Sequence, residues 1–111
     1  MKDRLLPLRH ILDAIERLED YAAAGKQAFL SEPMRKDAIA RNLEVIGEAV
    51  TRLPDDLRAK TPNFSWRDPV NMRNWLIHGY DVIDLDVVWD TVTTDLPQMR
   101  AIVQALLAEG D

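Results

Sequence analysis

The sequence predicts an all-α fold, an up-and-down bundle of four helices formed by one domain over residues 1–111. Three observations carry that expectation. Apolar residues recur at helical spacings along nearly the whole chain, and no stretch alternates in the manner of a strand. The connections between the periodic segments are short and marked by Pro, Gly and Ser. The length of 111 residues, with 47% hydrophobic and 30% charged, suits one small core and excludes a disordered chain.

The first helix is written by Leu5, Leu8, Leu12 and Ile15, with Ile11, Leu18 and Ala22 beside them on one face. Pro7 fits its first turn, where a missing N–H costs nothing. Gly25 marks its end. Ser31, as an N-cap, followed by Pro33 in the first turn, announces a second helix. Its stripe is Ile39, Leu43, Ile46, Val50 and Leu53, and Pro54 stops it. Arg41, Glu44 and Glu48 fall three or four apart and read as a ladder of exposed ion pairs along that helix. Residues 54–65 form a loop with one helical turn at 55–60. Ser65 then reads as the cap of a third helix, with Asp68 in a capping-box position and Gly79 as terminator. Asp84 caps a fourth helix on the stripe Leu85, Val88, Val92, Leu96, Met99, Val103 and Leu106, about six turns long. Pro97 lies inside it and is expected to bend it.

Composition narrows the function. The chain has no cysteine, which excludes disulfides, thiolate metal sites and a cysteine nucleophile. The two histidines, His10 and His78, are too far apart in sequence to suggest a histidine metal cage, and His10 reads as structural or solvent-facing. The net charge of −5 disfavours general coating of nucleic acid but leaves room for a small local RNA site. Residues 81–111 hold seven acids and one base, Arg100, so the outer face of the last helix is acidic. No apolar run is long enough to span a membrane, and the N-terminus is too short and too charged for a signal peptide, so a cytoplasmic protein is expected. Asp81, Asp84 and Asp86 offer oxygen ligands, but the capping role of Asp84 and the helix-start position of Asp86 explain them better than a metal. Trp66, Trp75 and Trp89 read as core or interface anchors rather than base-stacking platforms.

The run from Trp66 to Tyr80, W-R-D-P-V-N-M-R-N-W-L-I-H-G-Y, carries the chemistry. Histidine titrates near neutrality and can move protons, and arginine offers a permanently charged fork for phosphate oxygens. Such a pair can cleave RNA without a metal: a base takes the 2′-OH proton, the oxygen attacks phosphorus, and arginine stabilises the added charge. Asn74 and His78 share a helix face, whereas Arg73 and His78 point about 140° apart around the axis. They converge if Arg73 reaches round, if the helix turns near Gly79, or across a two-fold axis between subunits. The plain alternative is a histidine favoured by the helix dipole beside a surface arginine.

Met72-Arg73-Asn74-Trp75-Leu76-Ile77-His78-Gly79-Tyr80 resembles the R-x4–6-H signature of HEPN-domain proteins, and more narrowly the R-x4-H-x-Y form of HepT toxins. The segment from Ala40 to Ala49 resembles that family's second helix, Trp66-Arg67-Asp68 the start of its third, and the segment from Asp84 to Trp89 the start of its fourth. Trp75 departs from the pattern, which has a smaller or polar residue there. The resemblance implies a HEPN-like bundle of four to five helices that forms a homodimer, with the two motifs meeting in a cleft across the axis. It implies a toxin that is a metal-independent endoribonuclease, acting on RNA and not on DNA or at a membrane, with no cofactor. Its antitoxin would be an MntA-like minimal nucleotidyltransferase that transfers AMP from ATP to a tyrosine. Residue by residue, Arg73 and His78 become the catalytic pair, Asn74 a supporting residue and Tyr80 the modified tyrosine. The competing expectation is a catalytically silent HEPN module that binds nucleotide or docks a nucleotidyltransferase.

Overall fold

The computed structural model describes residues 3–79 and 83–110. It is the expected all-α bundle, with no strand among the described residues. The long elements are α1 (Leu6–Ala22), α3 (Pro33–Thr51), α5 (Arg67–His78) and a C-terminal run made of α6 (Leu85–Asp90), a π-helical segment (Thr91–Asp95) and α7 (Leu96–Gly110). Two short helices, α2 (Lys26–Ser31) and α4 (Asp55–Ala59), lie in the connections. Sequential neighbours pack together, α1 on α3 and α3 on α5, and α1 also packs along α7. α3 is thus the shared wall of the bundle.

The apolar stripes do what their spacing predicts. Leu8, Ile11, Ile15 and Leu18 of α1, and Ile39 and Val50 of α3, are fully buried in one cluster with Val88, Leu96, Met99, Val103 and Leu106 of the C-terminal run. α2 was not legible from periodicity because it is little more than one turn. It buries Phe29, whose ring stacks on Trp89 at 5.5 Å between centroids. Gly25 precedes it with φ of 96°, in open space, so backbone conformation and not crowding requires glycine there. Among the described residues no helix is long and apolar enough to cross a membrane.

Two expected caps are corrected. Ser31 closes α2 instead of capping α3, and its hydroxyl donates to the Gln27 carbonyl at 2.8 Å. That bond within the preceding turn satisfies the hydroxyl locally. Glu32 takes the N-cap position, and its carboxylate accepts from Arg35 while Arg35 also donates to the Tyr21 carbonyl at 2.9 Å. Ser65 makes no side-chain cap either, because Trp66 occupies that position. The Trp66 indole donates to Thr61 Oγ1 at 2.8 Å and packs edge-on to Phe64, so an anchored ring sets the entry of α5. The Asp84 cap is present: its carboxylate accepts from the Asp86 and Val87 amides at 2.9 and 3.4 Å.

Pro97 lies in the first turn of α7, just after a break in regular α-helical geometry. It cannot donate to the carbonyl four residues back, and its ring crowds that carbonyl in a regular α-helix. The chain widens into the π-helical segment immediately upstream, where Thr91 and Thr93 hydroxyls return to the Val87 and Trp89 carbonyls, each at 2.9 Å.

Candidate active site

Arg73 lies at the contact of α5 with α3. The approach is close because residue 47 is glycine: a Cβ there would overlap Arg73 Cβ and come within 2.8 Å of the Pro69 carbonyl. With the two backbones that near, the next residue on α3, Glu48, reaches the Arg73 guanidinium and pairs with Nη2. Nη1 donates to Asn74 Oδ1 at 2.9 Å. Arg73 Nε is buried without an acceptor, an arrangement that costs stability unless something else repays it. The Arg73 side chain is 28% exposed and that of Glu48 39%, so the pair is partly shielded from solvent.

His78 is the last residue of α5 and is exposed. Gly79 ends the helix, its amide donating to the Trp75 carbonyl at 2.7 Å. Its φ of −113° needs no glycine, and a Cβ there would sit tightly against the Trp75 carbonyl at 3.0 Å and the indole at 3.1 Å. The structure therefore brings Arg73, Asn74 and Glu48 together, whereas no hydrogen bond joins Arg73 to His78 within the chain. The angular offset between them persists. Tyr80, the expected site of modification, lies outside the described residues.

The exposed ladder expected on α3 is corrected in part. Arg41 and Glu44 make only a loose contact of 3.9 Å, and Glu48 leaves the ladder for Arg73. A cross-helix partner won over a local one because α5 sits directly on Gly47. Glu48 and Gly47 are the functional-site residues that sequence reasoning missed. The available signal was a glycine in a helix interior, which is unfavourable unless two elements approach closely there.

The acidic residues after the motif do not assemble as ligands in what is described. Asp84 is committed to its cap, and Asp86 pairs with Lys26 at 2.9 Å. That hydrogen bond and the charge of Asp86 hold the Lys26 ammonium above its usual range. Asp81 lies outside the described residues. Among those described, no group of three His, Asp or Glu side chains converges as a metal site.

Trp66 and Trp89 are anchors, as expected. Trp75 is half-buried and borders a groove of about 560 Å³ between α5, the 63–65 loop and the C-terminal run, floored by Leu43 and Ile46. His10 is exposed on α1 and faces a smaller hollow shared with α3.

The family described as "Ribonuclease HepT-like" matches residues 11–106, a span that contains Arg73, His78 and Tyr80. The chain is 35% identical over 100 residues to the "Probable ribonuclease HepT" of Thermococcus cleftensis, covering 89% of this chain and 91% of that protein. It is 34% identical over 101 residues to a "Putative RNase" of Caldanaerobacter subterraneus, covering 90% of each. A protein of Methanocaldococcus jannaschii named "Gamma-glutamylcyclotransferase and putative RNase" is 33% identical over 111 residues, and this chain spans 50% of its length. No solved structure matches.

Proposed function

The chain belongs to the HepT-like ribonuclease family, and from that premise we propose that it is a metal-independent endoribonuclease, the toxin of a toxin–antitoxin pair acting in the cytoplasm. The observation that carries the reading is the arginine held at the α3–α5 contact by Glu48 and Asn74, five residues before an exposed histidine at the helix end. Both lie within the span that matches the family.

In this reading the RNA phosphate binds the outer edge of the Arg73 guanidinium. His78 takes the proton from the ribose 2′-OH, the 2′-oxygen bonds to phosphorus, and the bond to the 5′-oxygen breaks. The charge that builds on the phosphate oxygens is stabilised by a guanidinium already fixed in orientation, which is where preorganised electrostatics contributes most. The offset of Arg73 from His78 on α5 supports a homodimer, in which the two sets share one cleft and one subunit's imidazole serves the other's arginine. A second imidazole in that cleft can return a proton to the leaving 5′-oxygen.

Tyr80 follows His78 by two residues and is the proposed off switch. An MntA-like nucleotidyltransferase antitoxin joins its phenolic oxygen to the α-phosphorus of ATP and releases pyrophosphate. The attached AMP then carries a negative phosphate towards Arg73 and blocks the RNA. The test is digestion of RNA by the purified protein in EDTA. Wild type should cut and His78→Ala should not; equal cleavage by a folded His78→Ala protein ends the reading.

A further inference from the structure

The carboxylate that holds Arg73 also borders a second hollow. This cleft of about 330 Å³ between α1 and α3 is lined by His10, Arg41, Val45, Glu48, Ala49 and Arg52. On α3, residues 41, 45, 48 and 52 stand three or four apart and so share one face. His10 adds an exposed imidazole from α1. The cations here are weakly paired, as are Arg17, Lys36, Lys60 and Arg67 elsewhere among the described residues, but here two of them line one hollow. Arg4, Arg9, Lys26, Arg35, Arg58 and Arg100 are each closed in ion pairs of 3.2 Å or less. Arg52 pairs with no acid among the described residues, and Arg41, 70% exposed, has only its loose contact with Glu44. The one carboxylate lining the hollow, Glu48, is already offset by Arg73. In a chain of net charge −5, two exposed guanidinium groups about 16 Å apart along one helix face, with an imidazole at the same hollow, offer a track for an anionic strand.

The geometry points to this hollow as a subsite for the phosphate backbone of the RNA strand that flanks the scissile bond. The inference rests on the reading that Arg73 engages the scissile phosphate. Glu48 is the shared wall between the two places, so a strand held at Arg73 passes next over Arg41 and Arg52. Guanidinium forks match phosphate oxygens, and the one carboxylate lining the hollow between Arg41 and Arg52, Glu48, is engaged by Arg73. Contacts of this kind position the strand without reading its sequence.

The test is the salt dependence of binding to a fluorescent single-stranded oligoribonucleotide, measured by anisotropy on full-length protein carrying His78→Ala so that the RNA stays intact. Each lost phosphate contact on a single strand lowers the slope of log affinity against log salt by about 0.7. Adding Arg41→Gln and Arg52→Gln together should lower it by about 1.4 and weaken binding at every salt concentration. Arg41→Lys with Arg52→Lys should keep the slope, since the charge is kept. Arg58→Gln, which removes the same charge from the Asp55 pair on α4, should also leave it unchanged. An unchanged slope in the double glutamine protein overturns the subsite, as does an equal fall in Arg58→Gln, which would reduce the effect to net charge. Loss of binding to an acidic protein partner with the RNA slope intact also overturns it, in favour of a protein-docking face. If the slope falls as expected but wild type cuts no RNA, the nuclease reading fails and the backbone site stands. If wild type cuts RNA and the slope does not move, only the subsite fails.

Discussion

Substituting Gly47 by alanine separates the packing argument from ordinary helix propensity. In a helix interior, glycine to alanine is favourable by about 0.8–1.0 kcal/mol. Here the new methyl group would overlap Arg73 Cβ and approach the Pro69 carbonyl at 2.8 Å and Arg73 Cγ at 3.0 Å. The first two of these are fixed by backbone, so no rotamer change relieves them. Overpacking of a closed contact costs about 1–3 kcal/mol, and immovable neighbours put this site at the upper end. The net expectation is a loss of about 2 kcal/mol. With an m-value of about 2 kcal/mol/M, the urea midpoint should fall by about 1 M with the slope unchanged. The same displacement moves α5 away from Glu48, and misplacing a catalytic group by a fraction of its reach costs up to about 10² in rate. Urea unfolding followed by circular dichroism reads the first effect, and cleavage of a quenched RNA substrate reads the second. A Gly47→Ala protein as stable as wild type, or more so, would refute the close approach of α5 to α3 and with it the account of how Arg73 is positioned.

Arg73→Ala and His78→Ala should each lower RNA cleavage by roughly 10² or more while the far-ultraviolet spectrum stays helical, because charge stabilisation and proton transfer are separate contributions. Glu48→Gln keeps an acceptor but removes the charge that orients Arg73, so kcat should fall roughly tenfold with little change in KM; a change confined to KM would give Glu48 a binding role instead. Gly25→Ala meets no atom but must hold φ near 96°, so it should cost about 1–3 kcal/mol in urea unfolding, and a neutral result would show that the α1–α2 turn can relax. Co-expression with a cognate nucleotidyltransferase should add mass in AMP units to wild type and none to Tyr80→Phe, which should remain toxic; modification that persists in Tyr80→Phe would place the acceptor elsewhere.

The parts of this molecule that were legible in the sequence are those fixed by local periodicity. Three apolar stripes predict three of the long helical elements because each stripe must be buried and only the 3.6-residue repeat aligns it, whereas the helix that carries the motif was read from its flanking residues. Asp84 was legible for the same reason: its cap closes on amides two and three residues ahead. The capping expectations failed where a tertiary contact competed. Ser65 lost its position to Trp66, whose indole is tied to Thr61 and Phe64, and the long-range packing of α2 through Phe29 on Trp89 has no local signature at all. The motif Arg73–His78 was visible as residue types and as a family resemblance, but spacing on one helix does not say what fixes the arginine.

What fixes it is a consequence of helix geometry two residues wide. A glycine at position 47 removes the side chain that would hold α5 off α3, and the close approach presents residue 48 to the guanidinium across the contact. Glu48 therefore lies at the join of three roles. It neutralises part of the Arg73 charge, it stops the guanidinium from turning freely, and its other side borders the hollow that Arg41 and Arg52 line. An arginine so restrained is less attractive to a free anion than an unpaired one, yet loses less entropy when a phosphate docks on its remaining edge. Affinity for RNA must then come from cations beyond the pair, while Arg73 contributes where charge develops. That division predicts opposite signatures for the two groups. Removing Arg73 should depress the rate of the chemical step far more than the salt slope of binding, and removing Arg41 with Arg52 should depress the salt slope. Equal effects of both substitutions on both measurements would mean that the cations form one undifferentiated patch and that Glu48 organises nothing.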